Sequence, residues 1–150
     1  ALMPRRRDTS APYGFAVPLV LKGILSPHDI VRAAEHGARA AWISNHGGRQ
    51  LDGSVTALEM LPEAVDAAAG RLEIYADGGI RRGSDILVAL ALGARAVFIG
   101  RPFLYALAAA GEAGVDHAFA MLADELRRSL SILGVASAAD VRREHVRPSP

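Results

Sequence analysis

The 150-residue chain contains no cysteine, no marked excess of either charge and no long hydrophobic run. Without cysteine it can form neither disulfides nor thiolate metal sites, which excludes a cysteine redox site and suits a reducing, cytoplasmic location. Lys and Arg total 17 against 16 Asp and Glu, so the net charge of +1 disfavours nucleic-acid binding through bulk charge. The longest apolar stretches, such as residues 17–21 and 86–92, fall well below the ~20 residues that span a bilayer, which predicts a soluble chain.

Short apolar runs alternate along the chain with longer segments of helical period, which is typical of βα repetition. The predicted strands are Pro18–Gly23, Ala40–Ser44, Leu72–Ala76 and Ala96–Gly100. A first helix is predicted to start at the N-cap Ser26, and later helices at Thr56–Ala69, Gly83–Leu92 and Val115–Leu133. We expect residues 1–16 to be a loose N-terminal arm, residues 17–141 one α/β unit and residues 142–150 a frayed tail.

Four nearly all-apolar strands, each followed by a helix, predict a parallel sheet covered on both faces. Right-handed crossovers leave two architectures, a doubly wound sheet or part of a (β/α)₈ barrel. The polar motifs all come directly after a predicted strand, at the edge where barrels carry their active sites, and this favours the barrel. Because a whole barrel takes ~250 residues, the four βα units correspond to half of one.

Two glycine and arginine motifs on successive strands indicate a phosphate site. In the first, Asp77-Gly78-Gly79-Ile80-Arg81, adjacent glycines let backbone N–H groups approach an anion at a helix N-terminus. Gly100-Arg101 repeats this pattern one strand later, and either arginine can bind phosphate through charge-assisted hydrogen bonds. The alternative is that the glycines only form tight turns and the arginines are solvated.

A histidine and a lysine at strand ends are candidates for chemistry. His46 follows an apolar strand, where a base of pKa near ~6.5 is useful, and Arg49 could hold a carboxylate through two hydrogen bonds. Lys22 ends another apolar strand and either meets an anion or extends to the rim. A purely structural histidine is the alternative for His46. The other four histidines lack metal-ligand spacing and are expected at the surface, so no metal site is predicted.

Together these motifs resemble the C-terminal half of the FMN-dependent α-hydroxy-acid dehydrogenase/oxidase family, which includes glycolate oxidase, lactate oxidase and mandelate dehydrogenase. The segment SNHGGRQLDG, residues 44–53, is the most specific element. LVLKG, DGGIRRGSDILVALALGARAVFIGRP and AAAGEAGV agree in order and spacing. The histidine motif separates this family from other phosphate-binding barrels, and the resemblance runs from about Pro18 to Val141.

The resemblance implies half of a TIM barrel, FMN as cofactor, and oxidation of a small L-2-hydroxy acid to the 2-oxo acid. It implies that His46 is the base, taking a proton from the substrate while two electrons pass to flavin N5, and that Arg49 holds the substrate carboxylate. Lys22 would stabilise negative charge at the flavin N1/O2 edge, and Ser44 would touch the cofactor. The remaining residues, implied to bind ribityl and phosphate, are Asp77, Gly78, Gly79, Ile80, Arg81, Gly100 and Arg101.

The family's first four βα units have no counterpart in this sequence. We therefore expect open sheet edges that favour self-association or a complementary half-barrel. Two other functions remain open from the residues. One is a non-catalytic FMN- or phosphate-binding half-barrel that assembles with a partner, and the other is a different barrel enzyme such as an FMN-dependent isomerase.

Overall fold

The computed structural model describes residues 17–147, so the expected N-terminal arm and residues 148–150 lie outside it. Its four strands are β1 (Val20–Ile24), β2 (Ala40–Ile43), β3 (Glu73–Asp77) and β4 (Ala96–Phe98). The helices that follow them are α1 (Pro27–Glu35), α2 (Ala57–Ala68), α3 (Gly83–Ala91) and α4 (Arg101–Leu133). Short 3₁₀ turns occur at His46–Gly48, Ala138–Asp140 and Arg143–His145.

The sheet is parallel throughout, with strand order β1-β2-β3-β4. A doubly wound sheet reverses its strand order at a switch point, whereas this order follows the sequence, as in an arc of a barrel. Right-handed crossovers in such an arc place every helix on the same face of the sheet. The sequential order therefore decides between the two predicted architectures in favour of the half-barrel.

The hydrophobic core lies between the sheet and the helices. Ile43 of β2, Ile30 of α1 and Leu61 of α2 are fully buried there, and alanines such as Ala41 and Ala64 let the backbones approach closely. Burying a side chain of the size of leucine stabilises the fold by roughly 1.5–3 kcal/mol. This core holds the strand ends in fixed register, which is the condition for a site built from several strands.

The opposite face of the sheet is open, so the expectation of a sheet covered on both faces is wrong for residues 17–147. Each strand presents one large side chain to this face: Lys22, Trp42, Tyr75 and Phe98. Phe98 is 39% exposed. In a closed barrel this face is the interior and is filled by side chains from all strands. An arc of four strands cannot close around it.

Helix α4 begins at Arg101, well before the predicted start at Val115. Pro102 lies in its first turn, where a missing N–H costs nothing. The helix is interrupted at Ala110 and Gly111, whose backbone angles are non-helical. The apolar pattern predicted only the segment after this interruption, because the alanine-rich stretch before it lacks a clear periodic apolar pattern.

The predicted frayed tail makes contacts with the fold in the part that the structure describes, residues 142–147. Val146 packs against the buried cluster that Val141 forms with Leu87 and Ala91 of α3. The following 3₁₀ turn is tied to α2 by an ion pair of 3.3 Å between Arg143 Nη1 and Asp66 Oδ1. Across residues 17–147, every helix is too short or too polar to cross a bilayer.

Candidate active site

The predicted site residues meet in an open cleft of about 960 Å³ at the carboxyl edge of the sheet. Parallel strands bring their carboxyl ends to the same edge, so residues distant in sequence become neighbours. Every predicted site residue except Ser44 lines the cleft: Lys22, His46, Arg49, Asp77, Gly78, Gly79, Ile80, Arg81, Gly100 and Arg101. Ser44 lies beneath it, 1% exposed.

The ammonium of Lys22 is held by groups at the carboxyl ends of the next two strands of the sheet, β2 and β3. Its Nζ lies 3.0 Å from Asp77 Oδ2 and donates a 2.9 Å hydrogen bond to Ser44 Oγ. It also lies 4.8 Å from the ring centroid of Trp42. Lys22 is therefore ion-paired within the cleft instead of extending freely to the rim. The cofactor contact of Asp77 stays a prediction: its carboxylate, which faces the ammonium, suits the hydroxyls of a ribityl chain and would repel a phosphate.

Two aromatic residues that were not predicted as site residues, Trp42 and Phe98, line the cleft. The rings of Trp42 and Phe98 stack with centroids 3.8 Å apart, and Tyr75 packs against Phe98 at 5.9 Å. Tyr75 donates a 2.7 Å hydrogen bond to Glu73 Oε2, and this bond raises the pKa of the phenol because the carboxylate stabilises its protonated form. The alternation of side chains along each strand predicts that these residues share one face of the sheet. It does not predict that this face is the open one.

His46 lies in a tight turn that directly follows β2. Its φ of +57° is in the left-handed region, which is uncommon for a residue other than glycine. Asn45 Oδ1 accepts hydrogen bonds from the backbone N–H groups of Gly47 and Gly48, at 3.1 and 3.3 Å. His46 N donates to Ser44 Oγ at 3.2 Å. Asn45 was not predicted as a site residue, although an asparagine one residue ahead of two glycines is typical of a turn.

The phosphate site predicted at the glycine motifs is only partly as expected. Gly78 and Gly79 do adopt left-handed φ values of +96° and +80° and expose backbone to the cleft. The N-terminus of α3, however, already binds carboxylates. Asp85 Oδ2 accepts from the N–H groups of Arg81 and Arg82, and Glu125 Oε2 accepts from that of Gly83. These carboxylates occupy the N–H groups at the start of the helix, while phosphate binding by the backbone of Gly78 and Gly79 stays a prediction.

The N-terminus of α4 is the better anion site. Gly100 is its N-cap, no acidic residue lies in its first turn, and both Gly100 and Arg101 line the cleft. The Arg101 guanidinium reaches back to donate a long 3.5 Å hydrogen bond to the Gly47 carbonyl. A helix N-terminus with an adjacent arginine is a favourable environment for phosphate.

The remaining histidines do not contribute to the cleft. His28, His36 and His117 are exposed, as expected, and His145 is half-buried, with Nδ1 accepting a hydrogen bond from the Arg142 N–H. Among residues 17–147, no group of His, Asp and Glu side chains is arranged to hold a metal ion.

Comparisons with known proteins agree with this geometry. Residues 14–148 match the family of FMN-dependent dehydrogenases. The chain is 53% identical over 125 residues to L-lactate oxidase of Nostoc sp. and 51% identical over 127 residues to 4-hydroxymandelate oxidase of Amycolatopsis orientalis. These alignments cover 83% and 85% of this chain but only 34% and 36% of the relatives. The chain thus spans about a third of the length of the curated relatives it matches.

Solved structures show the same relationship in three dimensions. A crystal structure of mandelate oxidase with benzoyl-formic acid superposes with a TM-score of 0.84 at 50% identity, covering 87% of this chain and 39% of that one. Fold and cleft therefore define a TIM-barrel portion of the flavin-enzyme class. The chain belongs to the FMN-dependent dehydrogenase family, and the predicted cofactor class, FMN, is confirmed at the level of that family.

Proposed function

We propose that this chain is the portion of an FMN-dependent 2-hydroxy-acid oxidoreductase that carries the base and the cofactor phosphate site. The activity of the completed enzyme would be the oxidation of a small L-2-hydroxy acid to the 2-oxo acid. The observation that carries the proposal is that one cleft contains His46 and Arg49 together with Lys22, the exposed backbone of Gly78 and Gly79, and Arg101. A module that only bound phosphate would need neither His46 nor Arg49.

The residues present fit FMN. Lys22 offers a cation to an electron-rich edge, and Arg101 with the start of α4 offers donors to a phosphate. The cleft volume of about 960 Å³ is in the range of pockets that hold cofactors. FMN, when bound, supplies the acceptor for the two electrons released by the substrate.

The side chains of this chain would bind the substrate and accept its proton. The planar guanidinium of Arg49 suits a carboxylate, which it can bind through two parallel hydrogen bonds. The imidazole of His46 would accept one proton as the alcohol carbon is oxidised to a carbonyl. Asp77 and Ser44 hold the Lys22 ammonium in the cleft, where it would face negative charge that develops on the cofactor.

Completion of the site would come from further barrel strands. In the described residues β1 and β4 each have one neighbouring strand, so the sheet has two free edges and an open aromatic face. Free edges template pairing with other strands. We propose that a complementary half-barrel, or a second copy of the chain, covers this face. The open face also supports the second candidate function, a non-catalytic FMN-binding half-barrel that acts in assembly. A cytoplasmic location stays a prediction.

Flavin titration tests the proposal. The chain would be titrated with FMN alone and together with a polypeptide that carries the first four βα units of a relative, followed by flavin absorbance and sedimentation velocity. We expect a closed complex of one copy of each polypeptide, the size of one whole barrel, with FMN bound. Lactate, glycolate or mandelate should bleach its flavin in the absence of oxygen. Bound FMN without bleaching by any 2-hydroxy acid would favour the non-catalytic function. No FMN binding in either state would contradict both.

A further inference from the structure

The imidazole of His46 lies directly against the α-carbon of Gly23 in the neighbouring strand. A Cβ atom placed on Gly23 would lie 2.9 Å from His46 Cε1 and 3.7 Å from Nε2. The first distance is shorter than real contacts of this kind, so any side chain at position 23 would displace the ring. Gly23 therefore provides the space that the imidazole occupies.

The backbone of Gly23 has a second special feature. Its φ is +88°, and the register between β1 and β2 shifts between Lys22 and Ile24. Such a bulge inserts one residue and re-aims the side chains around it, and bulges are frequent beside active sites. Gly23 is the extra residue of this bulge. It directly follows Lys22, whose ammonium lies in the cleft, and it makes room for the imidazole of His46.

The direction of the imidazole also depends on the backbone of His46 itself. The left-handed φ of His46 costs free energy and persists only where the surrounding structure enforces it. The enforcing contacts are the two hydrogen bonds that Asn45 Oδ1 accepts from Gly47 and Gly48. Within residues 17–147, neither ring nitrogen of His46 has a hydrogen-bond partner, so the described contacts act on the ring through backbone geometry and van der Waals packing.

We propose that Gly23 and Asn45 are positioning residues that set the direction of the His46 imidazole. Gly23 leaves the space against which the ring rests, and Asn45 keeps the turn that points the ring into that space. The consequence for proton transfer rests on the proposed function, but the placement of the ring does not. The placement can therefore be tested without FMN or substrate.

The direct test is nuclear magnetic resonance of the unmodified chain. Protons in van der Waals contact give a strong nuclear Overhauser effect, so we expect one between the Gly23 α-protons and His46 Hε1. The His46 signals would be assigned from their loss in His46→Gln. Absence of this effect in the folded chain would overturn the proposal.

Chemical modification provides a second test at low protein concentration. Trypsin releases His46 as the only histidine of peptide 40–49, and releases His28 and His36 in peptides 23–32 and 33–39 as internal references. The rate of carbethoxylation by diethyl pyrocarbonate would be measured for each peptide by mass spectrometry. In Gly23→Ala we expect a rise at His46 alone, because displacement uncovers the side of this already exposed ring that rests against Gly23.

A matched glycine supplies the control for backbone strain. Gly70 also has a left-handed φ, +72°, but a Cβ there would meet nothing within 4 Å, and it lies in the turn between α2 and β3. Gly70→Ala should leave the His46 rate unchanged. Equal rates at His46 in Gly23→Ala and Gly70→Ala would overturn the role of Gly23.

The Asn45 variants keep the proposal falsifiable if Gly23→Ala does not fold. Asn45→Ala removes the acceptor and should raise the His46 rate, whereas Asn45→Asp keeps an acceptor oxygen and should restore the parental rate. Equal effects of both variants would overturn the role of Asn45. If the placement is confirmed but FMN does not bind, the proposed function fails while the positioning of His46 stands.

Discussion

Replacement of Arg101 by alanine tests which part of the cleft binds phosphate. Arg101 lies at the start of α4, lines the cleft and is exposed, and its one described hydrogen bond is the 3.5 Å contact with the Gly47 carbonyl. That contact is too long to contribute much to the fold, so Arg101→Ala should leave the free energy of unfolding nearly unchanged. Any large effect should therefore appear in ligand binding.

The size of that effect follows from the chemistry of the lost contact. A hydrogen bond to a charged group contributes about 1.5–3 kcal/mol. At about 1.4 kcal/mol per tenfold change in Kd, Arg101→Ala should weaken FMN binding by about 10- to 140-fold. Riboflavin has the same ring and ribityl chain but no phosphate, so its affinity should stay nearly the same.

Quenching of flavin fluorescence, titrated with parent and variant chain, measures both affinities. Arg127→Ala is a matched control, because Arg127 is an exposed arginine of the same helix that pairs with Asp124 at 3.1 Å and does not line the cleft. It lowers the net charge equally but should change neither affinity. Equal weakening of FMN and riboflavin by Arg101→Ala, or equal effects of both arginine variants on FMN, would refute the phosphate assignment.

Three further substitutions test the base, the carboxylate site and the core. In an active assembly, His46→Gln should lower the rate of flavin reduction by a 2-hydroxy acid by ~10²–10⁴-fold, because glutamine is no base near neutral pH; stopped-flow absorbance at the parental rate would contradict this. Arg49→Lys keeps the charge but loses the planar fork, so KM for the acid should rise and the rate fall, and unchanged KM would exclude carboxylate binding by Arg49. Leu61→Ala, in the fully buried core, should lower the free energy of unfolding in urea by about 2–5 kcal/mol, whereas Ile132→Ala, 84% exposed in the parent, should change it by less than about 0.5 kcal/mol. A similar loss in both would mean that the core is not packed as described.

The sequence was a good guide to elements whose signal is local. Predicted strands and helices agree with β1 to β4 and α1 to α3 within a few residues, because apolar runs and helix-start residues act over one or two turns. It failed where tertiary contacts override weak local signals. The start of α4 and the packing of the tail were missed, since Val146 and Arg143 make their contacts with the buried α3 cluster and with α2.

The site was predictable as a set of residues because strand ends in a parallel sheet converge. Its wiring was not. Nothing in the local sequence indicates that Asp77 pairs with Lys22, or that Glu125 reaches across to the N-terminus of α3. Both contacts join residues far apart in the chain, whose distance depends on how strands and helices pack.

By itself, then, the sequence determined the βα repetition and the strand-end placement of His46, Arg49 and the glycine motifs. Through the histidine motif it also determined the family. Each of these is a property of short contiguous segments. Only the tertiary structure decided that the helices cover one face of the sheet, that carboxylates already occupy the start of α3, and that Gly23 makes room for the imidazole. Those features depend on strand order, register and the approach of backbones distant in sequence, which no local pattern encodes.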